Sequence, residues 1–373
     1  MLYWLSYALE DHFGPFRLLR SHALLLSFGT FLAAYLTWYM LPKLWHLMPH
    51  DHGKAILGKD GMKSAGKPTG AGVIGTLVAL PVIILCSPLS VCDMGVVLCL
   101  YAAMAFGFLD DASSVPWGQL KKGLLDMVVS LGAAMFLYAS QGGELWLPFF
   151  KAVWVLPWWL YIPGAGFLLW FTMNATNCSD GVDALAGSLT LISLVCLAAL
   201  LYVVIGYAPV AKYLLIPFNP QAARWAILLM TVAGSLCGYL WWNAEPSKVL
   251  MGDAGSRFLG MLVGVGVLVT GNPVLVFAVA PIVLVNGGGG LGKLVLLRTL
   301  KKFRMEVRHP SMLTELEQAA QSPFVRAIHS VRFPLHDHCK RILTWSNAQV
   351  LMRFMLLQAF LTPLLFILFV KVR

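Results

Sequence analysis

Apolar runs long enough to cross a bilayer recur along nearly the whole of this 373-residue chain, and only short polar links separate them. About 20 apolar residues is the length of a membrane-spanning helix. The chain therefore reads as an all-α integral membrane protein, one polytopic domain over residues 1–373. Composition agrees, with 59% hydrophobic and 12% charged residues, far from the balance of a soluble domain. Ten candidate spans centre near residues 32, 80, 100, 132, 162, 194, 232, 263, 284 and 360, and the eighth, FLGMLVGVGVLVT, is short. No cleavable signal peptide is expected, because Glu10, Asp11, Arg17 and Arg20 precede the first apolar run. The seven cysteines form no CxxC pair, so neither a disulfide framework nor a zinc site is expected.

Ten spans put both ends of the chain on one side and divide the links into two sets. Basic loops stay cytoplasmic, and 20 of the 27 lysines and arginines fall in or just beside residues 42–71, the FLDD link, NATNCSDGVD, the WWNAEPSKVLMGDAGS link and residues 298–350. That set is placed in the cytoplasm and both termini outward. Acidic residues partition the same way, 13 against 4. A basic bias is common to membrane proteins, whereas carboxylates gathered at the same face need a separate reason.

Four polar clusters lie on that face. In FGFLDD, Asp110 and Asp111 end the third span, where carboxylates oppose the helix dipole, which argues against a stabilising role. In NATNCSDGVDAL, Asn174, Asn177, Asp180 and Asp183 recur every three residues, so a helix would carry all four on one slowly drifting side. Such a side suits a cation, a diphosphate's metal or sugar hydroxyls, while caps explain one or two of the four. In NAEPSKVLMGDAGSRFLG, Asn243 and Asp253 stand with Gly252 and Gly255 before a span whose N-terminus favours an anion; the other reading of Asp253 is a helix cap. In PLHDHCKR, His336 and His338 flank Asp337 with no obvious third metal ligand. Lys121, Lys122 and Lys248 are near these clusters. Oxygen-rich sites with few histidines point to Mg²⁺ or Mn²⁺ and to phosphates. The combination suggests phosphoryl transfer at the membrane surface, with an activated phosphate entering from the cytoplasm and a membrane lipid entering laterally. No nucleic-acid partner is expected.

In this order and between these spans, FGFLDD, NATNCSDGVDALAGSL, WWNAEPSKVLMGDAGS and PLHDHCKR resemble the motifs of the polyprenyl-phosphate N-acetylhexosamine-1-phosphate transferases. KPTGAG at 67–72 is similar to that family's PTMGG loop, and FRM at 303–305 to the stretch before its histidine motif. The resemblance implies ten spans, a cytoplasmic active site in the bacterial inner membrane, and a homodimer. Within the family it is closest to the branch that moves phospho-MurNAc-pentapeptide from UDP-MurNAc-pentapeptide to undecaprenyl phosphate, giving lipid I and UMP in peptidoglycan synthesis. By motif position it implies Mg²⁺ on Asp253. Asp110 and Asp111 match the acidic pair that activates or positions the lipid phosphate, with Lys121 and Lys122 beside it, and Asp180 matches an acid in the chemistry. Asn174, Asn177, Asp183 and Asn243 match positions lining the nucleotide and sugar. His336 and His338 match the outer members of a triple-histidine motif at the substrate's sugar or diphosphate.

The chain departs from this pattern in places. PTGAG replaces PTMGG, Asp337 replaces the middle histidine, and Asn286 and Lys293 stand where the family tends to have an acid and a glutamine. Gly287 to Gly290 should loosen the ninth span. A cytoplasmic insert at about 306–333 contains LTELEQAA, either a surface helix against lipid headgroups or a loop. Two other functions are weighed. A sibling enzyme would move GlcNAc-1-phosphate to the same lipid; PLHDH followed by a tryptophan favours the muramoyl branch. A transporter would place ionisable groups near span centres and often show internal repeats; here they gather at one edge and no repeat is evident.

Overall fold

The computed structural model describes residues 1–51, 65–113, 115, 117–148, 150, 152–303, 307–308 and 321–371. FRM from Arg304 onward and the LTELEQAA stretch lie outside these residues. The helices are α1 (Leu2–Leu9), α2 (His22–Leu44), α3 (Gly72–Cys86), α4 (Val91–Asp111), α5 (Gln119–Gln141), α6 (Trp158–Ser179), α7 (Leu185–Ile205, its last turn π-helical) and α8 (Ala208–Tyr213). They continue as α9 (Ala222–Asn243), α10 (Gly252–Val269), α11 (Pro273–Val279), α12 (Pro281–Lys302), α13 (Pro323–Ser330), α14 (Leu335–Arg341) and α15 (Asn347–Lys371). A short antiparallel ribbon pairs Glu144–Trp146 with Val153–Val155, in the link between α5 and α6.

Among the described residues, seven helices are long and apolar enough to cross a membrane, and the α11–α12 pair, bent by 89°, makes an eighth if taken as one span. This is fewer than the ten expected, although every expected centre falls in a helix. α3 has only 15 residues, about 22 Å at 1.5 Å per residue. α6 is long enough at 22 residues but opens on WWLY and closes on NATNCS, which lowers its hydropathy.

α10 is the axis of the bundle: from Ala254 to Val269 every residue is buried. It packs against α4, α6 and α7, while α5 fills the angle between α4 and α6. α9 lies along α2. Their closeness comes from Gly234 and Gly238, since a Cβ at either would collide with the carbonyl oxygen of Thr30 or of Ala34. Small residues four apart let membrane helices bring their backbones together and gain packing that lipid cannot offer. The contact also carries a Thr37–Ser235 hydroxyl pair at 2.8 Å, and Ser235 donates on to the Gly75 carbonyl at 2.7 Å.

The 89° bend has a local cause. Pro281 cannot donate its nitrogen, so the helix breaks at Ala280. The groups this frees are met by buried Gln358 of α15, which accepts from the Ile282 N–H at 3.0 Å and donates to the Val279 carbonyl at 2.7 Å. Ser193 of α7 donates to the same carbonyl at 2.8 Å. Beyond the break α12 runs through a π-helical stretch, Leu284–Gly288, at the start of its glycines, and the Gly289–Lys302 portion has no buried residue. The expected loosening takes this form: the helix persists with a wider turn and leaves the bundle.

Candidate active site

All four polar clusters converge at one end of the bundle. Asp110 and Asp111 are adjacent on α4, so their side chains point about 100° apart. Asp110 turns inward, pairs with the Lys122 ammonium of α5 and accepts from the Trp117 N–H at 2.9 Å. Asp111 turns to α10, where its two oxygens accept from the N–H groups of Asp253 and Ala254, both at 3.1 Å. An acid unfavourable at the end of its own helix is thus favourable at the start of another. The pair opposes the dipole of α4 but is stabilised by partners on α5 and α10. The anion that the α10 N-terminus was expected to attract includes the protein's own Asp111.

That junction depends on Gly252, whose φ of +72° turns the chain into α10. The KPTGAG loop closes over it: Ala71 and Gly72 donate to the carbonyls of Leu250 and Met251 at 3.0 and 3.2 Å, and Leu250 donates to that of Pro68 at 2.8 Å. Lys67 in this loop donates to Ser247 at 2.9 Å and lies 3.8 Å from Asp183.

Asp253 points into the cluster. Its Oδ2 takes Lys122 at 3.3 Å and Arg257 at 3.0 Å, and Arg257 reaches past it to Asp126 at 2.8 Å. Asn174 lies beside Asp126 and donates to the Trp170 carbonyl at 2.9 Å. Sequence reading missed Asp126 and Arg257. The signal was present, because an ionisable residue inside KGLLDMVVSLGAAM or GSRFLGMLV is costly in a membrane unless it is used.

The expectation that Asn174, Asn177, Asp180 and Asp183 share one helical side is corrected. α6 ends at Ser179, Asp180 already has non-helical dihedrals, and Ala184 is left-handed at φ 63°. Asn174 and Asn177 are on α6, whereas Asp180 and Asp183 sit in the turn that follows. The tertiary cause is Asn243, buried at the end of α9: its Oδ1 accepts from the Ala184 N–H at 3.0 Å and its amide donates to the Val249 carbonyl at 2.7 Å. Asn243 thus braces the two loops. Asp183 accepts from the Ser247 N–H at 3.3 Å, which ties the turn after α6 to the NAEPSK stretch after α9.

The two histidines part company, as side chains two apart on a helix must, about 200° around the axis. His336 is buried and packs on Gly181, where a Cβ would collide with its Nε2. Asn286 Oδ1 takes the His336 backbone N–H at 2.8 Å and stands 3.2 Å from Nδ1. The same oxygen accepts from both, so Nδ1 carries the proton and Nε2 presents a lone pair beside Gly181. Burial lowers the His336 pKa to about 4, so the ring is neutral at neutral pH. His338 turns away and accepts from the Arg332 N–H at 3.3 Å, while Asp337 pairs with Arg341 at 2.6 Å. Lys121 also turns outward, with its ammonium 3.4 Å from the Trp117 ring centre.

The donor set suits a hard divalent cation in one particular way. Among the described residues no three His, Cys, Asp or Glu side chains form a ready-made cage. Asp110, Asp126 and Asp253 nevertheless share two cations there, Lys122 and Arg257, and Asp111 on the α10 N-terminus adds a fourth carboxylate, for a formal charge of −2. Mg²⁺ commonly binds through one or two carboxylates, with water and substrate phosphates completing the shell, and this cluster fits such an ion.

A multi-helix apolar bundle with a carboxylate and lysine centre at one end is the architecture of a membrane-embedded transferase, and residues 94–271 match the family model described as Glycosyl transferase family 4. The phospho-N-acetylmuramoyl-pentapeptide-transferase of Treponema pallidum (strain Nichols) is 42% identical over 97% of this chain and 94% of its own length. The protein of the same name from Campylobacter curvus (strain 525.92) is 26% identical over 93% of this chain and 94% of its own. The chain belongs to the phospho-N-acetylmuramoyl-pentapeptide-transferase family.

Proposed function

We propose that this protein transfers phospho-MurNAc-pentapeptide from UDP-MurNAc-pentapeptide to undecaprenyl phosphate, giving lipid I and UMP. The observation that carries the reading is the Asp110–Lys122–Asp253 chain, with Asp111 locked on the α10 N-terminus, at one end of an apolar bundle. An oxygen of the lipid phosphate attacks the sugar-bearing phosphorus of the donor. The new P–O bond forms as the bond to the inner phosphate breaks, and UMP leaves with the electron pair. Two anions must meet, so the barrier is largely electrostatic.

Lys122, held between Asp110 and Asp253, supplies a fixed positive charge where the phosphates approach. A lipid phosphate is already largely ionised near neutral pH, so Asp110 and Asp111 position more than they deprotonate. Neutral His336 offers Nε2 as an acceptor to a sugar hydroxyl beside Gly181. Asp253, with Asp110 nearby, is the residue to hold Mg²⁺, which when bound offsets the diphosphate charge. Lys67 and Asp183 close the nucleotide side of the cleft. The basic-residue bias supports a cytoplasmic site and outward termini.

The test is to incubate the purified protein with undecaprenyl phosphate and, separately, labelled UDP-MurNAc-pentapeptide and UDP-GlcNAc, following labelled lipid and UMP. Labelled lipid from the muramoyl donor is expected. Labelled lipid from UDP-GlcNAc alone would move the protein to the sibling activity.

A further inference from the structure

The reaction as derived makes no use of Asp126, yet Asp126 and Arg257 are the most deeply buried ion pair among the described residues, with side chains 1% and 3% exposed. A buried pair of this kind seldom adds stability over an apolar pair of similar volume, so its presence calls for another reason. The two ends of the guanidinium supply one. Nη1 binds Asp126 Oδ1 at 2.8 Å, and Nη2 binds Asp253 Oδ2 at 3.0 Å. Arg257 follows Asp253 by one helical turn on α10, and Asp126 approaches from α5. One positive charge is therefore shared by a sealed carboxylate and a carboxylate that faces the site.

The consequence is electrostatic. An arginine alone beside Asp253 would orient the carboxylate but cancel its charge, and a cancelled carboxylate is a poor ligand for a divalent ion. The charge of Asp126, 2.8 Å from the other end of the guanidinium, offsets part of that of Arg257. Asp253 can then be gripped by one oxygen and remain a net anion. A lysine in place of Arg257 would not span both carboxylates, because only the guanidinium has two donor ends.

We propose that Asp126 is a positioning residue acting through Arg257: it lets the guanidinium hold Asp253 in place without neutralising it toward a divalent cation. The inference rests on the reading that Asp253 receives that cation, and the experiment separates the two. Full-length protein in detergent is titrated with Mn²⁺, free ion is followed by electron paramagnetic resonance, and unfolding temperature, kcat and donor KM are measured alongside. Asp126→Asn leaves Arg257 uncompensated and is expected to weaken Mn²⁺ binding about tenfold. The double variant Asp126→Leu with Arg257→Leu removes both charges and keeps the cluster at its original net charge. It is expected to bind Mn²⁺ as tightly as the native protein or more so, while kcat falls about tenfold because Asp253 is no longer held and donor KM stays within about twofold.

A purely structural pair would lower the unfolding temperature in both variants and leave Mn²⁺ binding by the folded protein unchanged. Native-like Mn²⁺ affinity in Asp126→Asn overturns the proposal. If that variant is not recovered folded, the double variant decides: Mn²⁺ binding weaker than native, or a kcat that stays native, overturns it equally. If Asp253→Asn leaves Mn²⁺ binding intact, the underlying metal assignment fails instead.

Discussion

Gly252→Ala should disable the site from a position that carries no chemistry. Gly252 has φ of +72°, and an L-residue there costs about 1–2 kcal/mol. The new Cβ would collide with Asp111 Oδ2 and stand 2.7 Å from the Gly70 nitrogen, so both the acid and the KPTGAG loop must move. Asp111 then loses at least one of its two N–H bonds from the α10 N-terminus, and a hydrogen bond to a charged group is worth about 1.5–3 kcal/mol. The total is roughly 3–5 kcal/mol, a large part of the stability of an ordinary domain. Gly123→Ala is the control: it lies inside α5 with no atom within 4 Å of the added methyl, and it should be neutral or stabilising by about 0.5–1 kcal/mol. The measurements are thermal unfolding in detergent and the rate of UMP release. Gly252→Ala with native unfolding temperature and native UMP release would refute the reasoning, because the acid would not then be held where the backbone places it.

Three further outcomes follow from the same geometry. Gln358→Leu leaves the Ile282 N–H without its acceptor at the α11–α12 break, while Ser193 still donates to the Val279 carbonyl, at a cost of about 1–3 kcal/mol read by thermal unfolding; an unchanged midpoint would show that the bend does not need α15. His336 is held neutral, with its pKa lowered to about 4 by burial, against about 6.5 when free. Between these values the unfolded chain binds the extra proton, so stability is full above about pH 6.5 and falls as pH drops toward 4, by up to about 3 kcal/mol. The unfolding temperature should therefore fall between pH 7.5 and 5 in the native protein and less so in His336→Gln; equal slopes would clear His336 of the effect. Asp253→Asn and Asp111→Asn should each lower UMP release about 100-fold or more in protein that still inserts in the membrane. A fully active Asp111→Asn would return that acid to a packing role.

Much of the site was legible in one dimension because membrane cost makes polar residues conspicuous. Asp110, Asp111, Asp253 and His336 stood out against apolar runs, and the structure brings all four to one end of the bundle. Periodicity was a poorer guide at NATNCSDGVDAL. Three-residue spacing looks helical, but Asn243 draws the chain out of the helix at Asp180, although it stands 59 residues from its Ala184 partner.

Element existence came from local hydrophobicity: the length of each apolar run sets whether a helix forms in lipid, and that quantity is written in consecutive residues. What tertiary structure decided is partnership. Whether Asp111 opposes one dipole or serves another, which histidine turns inward, and how Asp126 reaches Asp253 through Arg257 all depend on helices distant in sequence. Charges and hydrogen bonds act through space over a few ångströms, and only the packed bundle sets those distances.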